Sequence, residues 1–98
     1  MIYGNRGIRY REKGIRAVFV KRGRLEIIYD ILSVCRNPVN KTRILYRCNL
    51  SFDLLQKYLE YLISHGMLTN NPEGSFQTTE KGKEFLKGYE NVKIFLEG

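Results

Sequence analysis

The sequence predicts a mainly α fold with a small β component (α+β), and three patterns predict it. The first is a short helix, a tight turn and a longer helix within residues 41–66. The second is a pair of short extended pieces around a turn-rich loop in residues 67–78, and the third is an amphipathic helix over residues 79–98. Ninety-eight residues suffice for one small domain with a modest core, and a partner subunit would help its stability.

The helix-turn-helix is predicted from a capping residue and from apolar spacing. Ser51 is of a residue type that accepts hydrogen bonds from the free amides at a helix start. Gly66 supplies a left-handed stop at the other end. Two helices that meet across a turn of about three or four residues form a unit whose second helix can lie in a DNA major groove. The apolar residues between these ends follow the period of one buried stripe, namely Phe52, Leu55, Leu59 and Leu62, widened by Tyr58 and Ile63.

A helix before this unit is predicted from about Arg24 to Arg36. Asn37 and Pro38 end it, and Asn40 is a suitable cap for the next helix, over about residues 41–47. The buried stripe of the first helix is expected to consist of Leu25, Ile28, Leu32 and Cys35, supported by Ile31.

A hairpin is predicted directly after the helix-turn-helix, which makes it a wing and the fold a winged helix. Met67, Leu68 and Phe76 are expected to close the core. The wing tip is a weak reader of nucleic acid, because it offers Asn70 and Asn71 beside Glu73 and no basic residue.

The last helix carries the seam of a coiled coil. Phe85, Tyr89, Val92 and Leu96 follow one another at steps of four, three and four residues. Such a helix needs a partner, either the flank of its own domain or the same helix of a second chain. The second chain is favoured, because one face alone is apolar and the winged-helix core looks complete without this helix.

Basic residues are concentrated at the N-terminus. Residues 1–24 hold eight basic residues and one acidic residue, a net charge of +7, whereas residues 25–98 hold nine of each. Such a segment points to a polyanion, either nucleic acid or an anionic membrane surface. Residues 1–22 are predicted to form a basic arm, in which residues 15–20 could instead add an edge strand to the sheet. The alternative role of the arm is a solvated tail.

Several classes of protein are disfavoured. The longest apolar run near the N-terminus, Ala17 to Val20, is too short for a signal-peptide core or a membrane span, so a cytoplasmic location is expected. Cys35 and Cys48 form no CxxC pair and His65 is the only histidine, so no metal site is expected. Both thiols are expected to be buried, and a disulfide between them is left open.

An enzyme is also disfavoured. There is no histidine beside a nucleophile, no pair of carboxylates on an apolar wall and no phosphate-binding glycine loop. His65 is better explained by helix capping. We therefore expect no catalytic residue, no cofactor and no small-molecule substrate.

The order and spacing of six stretches resemble the archaeal 10a chromatin proteins. These stretches are residues 41–46, 49–52, 56–59, 62–63, 66–68 and 79–86, and the resemblance extends over residues 24–96. It implies an archaeal source and a homodimer joined by an antiparallel coiled coil of the last helix. It also implies largely sequence-independent binding of duplex DNA in the nucleoid, with bending, bridging or compaction. Two departures are the arm and the short seam, since the last helix stops soon after Leu96.

Three functions are considered, of which an architectural DNA-binding protein comes first. A sequence-specific transcriptional regulator is the second, with Arg43, Asp53, Gln56 and Lys57 reading a half-site. The third is a winged helix used for protein contact, with the arm held to RNA or an acidic partner. The residues predicted to contact DNA are Lys41, Thr42, Arg43, Arg47, Ser51, Gln56, Lys57 and Asn71, with Arg9, Arg11 and Arg16 of the arm.

Overall fold

The computed structural model describes residues 22–97, with side chains up to residue 95. The arm up to residue 21, its candidate edge strand and Arg9, Arg11 and Arg16 lie outside the described residues. The described elements, in chain order, are α1 (Arg24–Val34), α2 (Lys41–Cys48), α3 (Phe52–Ser64), β1 (Leu68–Asn70), β2 (Phe76–Thr78) and α4 (Glu80–Glu97). This order confirms the predicted winged helix, in which α2 and α3 form the helix-turn-helix and the β1–β2 hairpin forms the wing.

The predicted helix caps are confirmed by their hydrogen bonds. The side chain of Asn40 accepts from the Arg43 amide at 2.8 Å, and the Ser51 hydroxyl accepts from the Leu54 amide at 3.2 Å. Gly66 follows α3 with a φ of 75°, the left-handed conformation that favours glycine. These local bonds fix where α2 and α3 begin and therefore set the turn between them.

The wing is tied to the end of α1. β1 and β2 pair antiparallel with Leu68 opposite Thr78, and the segment before α2 adds a bridge between Val39 and Phe76. The Thr78 hydroxyl donates to the Leu32 carbonyl at 2.7 Å, and the Thr78 amide donates to the Cys35 carbonyl at 2.8 Å. Thr78 is therefore buried with its polar groups satisfied, and its two hydrogen bonds attach the hairpin to the end of α1.

The core differs from the predicted stripes at their edges. Leu25, Phe52 and Ile63 were expected to be buried but are 57%, 60% and 39% exposed. All three lie near the end of a helix, where the described elements leave them partly uncovered, and Ile27 is buried instead of Leu25. The buried apolar residues are Ile27, Ile28, Ile31, Leu32, Cys35, Ile44, Cys48, Leu55, Leu59, Leu62, Leu68, Phe76 and Leu86.

The expectation that the core is complete without the last helix is wrong. Leu86 of α4 is 1% exposed and belongs to the core cluster, and Phe85 packs against that cluster. Gly82 permits this packing, because a Cβ atom there would lie 2.4 Å from the Met67 carbonyl oxygen and 2.5 Å from Thr78 Cγ2. The first half of α4 thus lies directly on the hairpin of its own domain.

The two cysteines are free thiols within the core, as expected for small apolar side chains. Burial, with a smaller contribution from Cys48, raises the pKa of Cys35 to about 12. Burial likewise raises the pKa of Cys48 to about 11, with a further contribution from Asp30. Neither thiol is therefore a reactive thiolate at neutral pH, and the disulfide left open by the sequence is absent.

Candidate nucleic-acid interface

The exposed side of α3 carries charges of both signs. Leu55, Leu59 and Leu62 are buried on one side of the helix. Because successive residues turn by about 100° around a helix, Asp53 and Lys57 lie on the opposite side. Both are exposed, as is Glu60 beside them. The outer face of α3 alone is therefore not strongly positive, and further cations lie on the elements that flank it.

The flank that faces α2, which we call the α2 flank, brings together two predicted site residues. Lys41 Nζ donates to Gln56 Oε1 and lies 4.4 Å from the centroid of the Phe52 ring. Gln56 Nε2 donates to Glu60 Oε2 at 2.9 Å. Both ends of the Gln56 amide are thus bonded within the protein. Reading a base with Gln56 would require breaking these bonds, which weakens its predicted role.

The outer face of α2 presents the predicted cations to solvent. Arg43 and Arg47 are exposed, and neither side chain has a hydrogen bond or ion pair with another described residue. Thr42 is exposed on the same face. Tyr46, one turn along the helix from Arg43, has 77% of its surface exposed, and sequence reasoning missed it. Its spacing from Arg43, one turn along the helix, was the available signal.

The opposite side of α3, which we call the α1 flank, forms a shallow cleft with the start of α1. The cleft has a volume of about 290 Å³ and is lined by Arg24, Leu54, Lys57, Tyr58 and Tyr61. Neither Arg24 nor Lys57 has an ionic partner among the described residues. Arg24 was counted with the arm charges but not predicted as a site residue, because its proximity to α3 is a tertiary contact.

Other predicted groups are used to build the fold. The Ser51 hydroxyl accepts from the Leu54 amide, and its proton stays free to donate to a bound anion. Asn71 Nδ2 donates to Ser75 Oγ at 2.9 Å, and Ser75 Oγ donates to Glu73 Oε2 at 2.6 Å. The bond from Ser75 lowers the pKa of the exposed Glu73 carboxyl. Hydrogen bonds between its own side chains therefore stabilise the wing tip, and the Asn71 side chain takes part in one of them.

Arg22 fixes the place where the chain enters the domain. Its guanidinium donates to Asp30 at 2.8 Å and to the carbonyl of Asn49 at 3.2 Å. Asn49 is the left-handed residue that ends α2, with a φ of 54°. Residue 22 is therefore held against the turn of the helix-turn-helix.

His65 acts as a helix cap. Its Nδ1 lies 2.9 Å from the Tyr61 carbonyl oxygen, and its ring centroid lies 4.1 Å from that of Tyr61. Nδ1 also lies 3.2 Å from the Ser64 hydroxyl, so the expectation of no histidine beside a hydroxyl group is wrong. The Ser64 hydroxyl donates to the same Tyr61 carbonyl at 2.8 Å, which places this pair at the helix end as part of the cap. Within residues 22–97, no group of three or more histidine, cysteine or acidic side chains is placed to hold a metal ion. In the same part of the chain, no helix combines the length and the apolar character needed to cross a membrane.

One predicted dimer residue, Tyr89, contacts the chain's own α1, and a second, Phe85, contacts Tyr89 and packs against the core. The Tyr89 ring stacks on Tyr29 with centroids 4.8 Å apart, and the Phe85 ring lies 6.0 Å from Tyr89. Glu90 Oε2 accepts from the Tyr29 hydroxyl at 3.0 Å and from Arg36 at 3.1 Å. We call Tyr29, Arg36, Tyr89 and Glu90 the α4 clamp.

Beyond the clamp, Lys93 Nζ lies 5.9 Å from the centroid of the Tyr29 ring, and the described residues leave the apolar side chains of the helix exposed. Val92, Ile94 and Phe95 are 56%, 69% and 85% exposed. Leu96, the last predicted seam residue, follows the described side chains. We call residues 91–97 the distal segment of α4.

Comparisons with known proteins agree with this architecture. The chain is 32% identical to Sso10a-2, a DNA-binding protein from Sulfolobus solfataricus. The crystal structure of that protein matches with a TM-score of 0.68 over 78% of this chain and 83% of that chain. This match confirms the resemblance to the archaeal 10a proteins.

Two proteins of Methanocaldococcus jannaschii are also similar. The uncharacterized protein MJ0287 is 40% identical over 76 residues, which are 76% of this chain and 77% of that protein. The uncharacterized protein MJ0290 is 32% identical over 74 residues, which are 74% of this chain but 35% of that protein. A family model described as winged helix-turn-helix matches residues 21–96. The chain therefore belongs to the winged helix-turn-helix family.

Proposed function

We propose that this protein binds duplex DNA as an architectural, nucleoid-associated protein, with α3 in the major groove. The observation that carries the proposal is the placement, on both sides of α3, of cations that have no ionic partner within residues 22–97. Arg43 and Arg47 stand on α2, and Arg24 and Lys57 border the α1 flank. The major groove is bordered by two phosphate strands, so a helix inserted there needs positive charge on both sides. The similarity to Sso10a-2, a DNA-binding protein, supports this assignment.

Binding that is largely independent of sequence is favoured over a sequence-specific regulator. Arg43 and Arg47 extend from α2 rather than from α3, and cations in that position contact phosphates, which carry no sequence information. Gln56, the best hydrogen-bonding reader of a base in this region, is already bonded to Lys41 and Glu60. The start of α3, with its Ser51 hydroxyl, offers a further phosphate contact.

The basic arm extends this surface. Arg22 anchors the chain beside the turn between α2 and α3, so the arm starts next to the proposed DNA-binding surface. Arg9, Arg11 and Arg16 precede Arg22 by 13, 11 and 6 residues in the sequence. We assign them additional phosphate contacts.

We also propose that the protein forms a homodimer through α4. The distal segment of α4 leaves Val92 and Phe95 exposed on one face. Leu96 comes four residues after Val92 in the sequence. Exposed apolar residues in a contiguous row favour association with another chain. Two copies joined by their α4 helices would present two α3 helices, which suits the bending or bridging of duplexes.

The decisive experiment is a salt titration of binding to two unrelated duplexes that share length and A·T content. We expect similar affinities for both, with a log–log salt dependence that becomes shallower by about 0.9 for each phosphate contact removed. Arg43→Gln and Arg47→Gln are each expected to remove one such contact. Replacing Arg9, Arg11 and Arg16 by Gln in the full chain is expected to remove up to three.

Lys87→Gln is the matched control, because it neutralises an exposed cation on α4, away from the helix-turn-helix. Its salt dependence should equal that of the wild type. A strong preference for one duplex would favour the regulator. Failure to bind either duplex would leave the protein-contact function and would refute the proposal.

A further inference from the structure

Phe52 is the exposed aromatic residue at the start of α3. It is the first residue of this helix, and 60% of its surface is exposed. Gln56 lies one turn further along the same flank. The sequence pattern suggests a buried position for Phe52, yet no described element covers it. A large apolar side chain is therefore presented at the leading end of the helix proposed to enter the major groove.

The Phe52 ring is held in place by a cation. Lys41 Nζ lies 4.4 Å from the ring centroid, a distance at which an ammonium is attracted to an aromatic face. The same Lys41 ammonium donates to Gln56 Oε1, which links α2 to α3 at this point. The ammonium lies over a face of the ring and leaves much of the Phe52 side chain in solvent. Phe52 and Lys41 together offer an apolar contact directly beside a positive charge.

The major groove contains one apolar group that fits such a contact, the 5-methyl group of thymine. In helix-turn-helix proteins, the first residues of the second helix contact base edges while neighbouring cations contact phosphates. We infer that Phe52 packs against thymine methyl groups and gives the protein a preference for A·T base pairs. This inference rests on the proposed function, because it needs α3 in the groove.

Other exposed apolar residues of α3 are placed less well for this contact. Leu54 lines the cleft on the α1 flank, and Ile63 lies near the far end of the helix. Gln56, the alternative reader of adenine, is engaged with Lys41 and Glu60. A preference carried by one methyl contact is also compatible with an architectural protein, since it biases binding by composition and does not define a single site.

The test compares an A·T-rich duplex with the same duplex in which every thymine is replaced by uracil. This exchange removes the 5-methyl groups and keeps the base pairing. Burial of one methyl group corresponds to about a fourfold change in affinity, so the wild type should bind the thymine duplex about fourfold more tightly. The variant Phe52→Ala should bind both duplexes equally, close to the affinity of the wild type for the uracil duplex.

A reciprocal pair of duplexes separates the methyl contact from changes in duplex stiffness. The wild type should prefer a G·C-rich duplex with 5-methylcytosine over the unmodified one, and Phe52→Ala should not. Leu54→Ala is the matched control, because it truncates a partly exposed apolar residue on the opposite flank, and it should keep the preference for thymine. Thermal melting checks that each variant is folded.

The outcomes distinguish the two proposals. Equal binding of the thymine and uracil duplexes by the wild type would overturn the methyl contact and leave DNA binding intact. A full preference for thymine in Phe52→Ala would also overturn it, because another group would then read the methyl. Failure of the wild type to bind any duplex would instead refute the proposed function.

Discussion

The two halves of α4 belong to one continuous helix but have very different surroundings. In the first half, Leu86 is buried in the core and Tyr89 and Glu90 are fixed to α1 by ring stacking and hydrogen bonds. In the distal segment, Ile94 and Phe95 are mostly exposed to solvent. The helix therefore packs against its own domain along one half, and the described residues leave the apolar side chains of the other half exposed.

The two halves share one amphipathic pattern although their surroundings differ. The seam that begins at Phe85 and Tyr89 continues to Val92 with the same spacing, but Tyr89 packs on the chain's own Tyr29. Side-chain periodicity gives the apolar face of a helix and does not say which molecule covers it. The clamp fixes the direction in which the distal segment leaves the domain, and so fixes how a second chain would approach.

The largest effect is expected where the first half meets the hairpin, at Gly82. In the variant Gly82→Ala, the new methyl group would lie 2.4 Å from the Met67 carbonyl oxygen, so α4 would have to move off the wing. We expect a loss of about 3 kcal/mol in the free energy of unfolding, the upper part of the range for overpacked sites. Chemical denaturation at a fixed protein concentration measures this loss.

Gly88→Ala is the control for helix propensity. A Cβ atom at residue 88 meets no atom within 4 Å, and the residue is exposed. Alanine should therefore stabilise α4 by up to about 1 kcal/mol. If both alanine variants stabilised the protein to the same extent, the close approach of Gly82 to the hairpin would be contradicted.

A smaller effect is expected from the α4 clamp. The variant Tyr29→Phe keeps the stack on Tyr89 but removes the hydroxyl that donates to Glu90 at 3.0 Å. Loss of this partly buried hydrogen bond should lower the free energy of unfolding by about 1 kcal/mol. Tyr46→Phe removes a hydroxyl from a residue that is 77% exposed. It should change the free energy of unfolding by less than about 0.5 kcal/mol. Equal stabilities of the two variants would argue against a contribution from the hydrogen bond.

The parts of the fold that depend on local chemistry could be predicted from the sequence. Asn40, Ser51 and Gly66 mark helix ends through bonds or backbone conformations that involve only nearby residues. The edges of the buried stripes could not be predicted, because the helical period gives the centre of a face but not where its neighbours stop. Phe52 and Ile63 were misplaced for this reason.

In the candidate site, too, the features that depend on local sequence could be predicted and those that depend on tertiary contacts could not. The cations of α2 could be predicted because a turn and a second helix follow them directly. The bond between Lys41 and Gln56, and the position of Arg24 beside α3, join residues far apart in the chain, so no sequence spacing reveals them. The burial of Leu86 was not predicted, because Leu86 does not belong to the predicted coiled-coil seam of α4.

The smallest effect on the free energy of unfolding is expected in the distal segment. In the variant Phe95→Ser, a side chain that is 85% exposed is replaced, so the domain itself should lose less than about 0.5 kcal/mol. Phe95 shares a face with Val92, and Ile94 lies on roughly the opposite side of the helix. We therefore expect Phe95→Ser to shift the full chain from dimer to monomer in sedimentation equilibrium, while Ile94→Ser stays dimeric. Dissociation by both variants alike would mean that the distal segment is covered on all sides. A monomeric wild type would contradict the dimer, because the exposed face of α4 would then have no second copy against it.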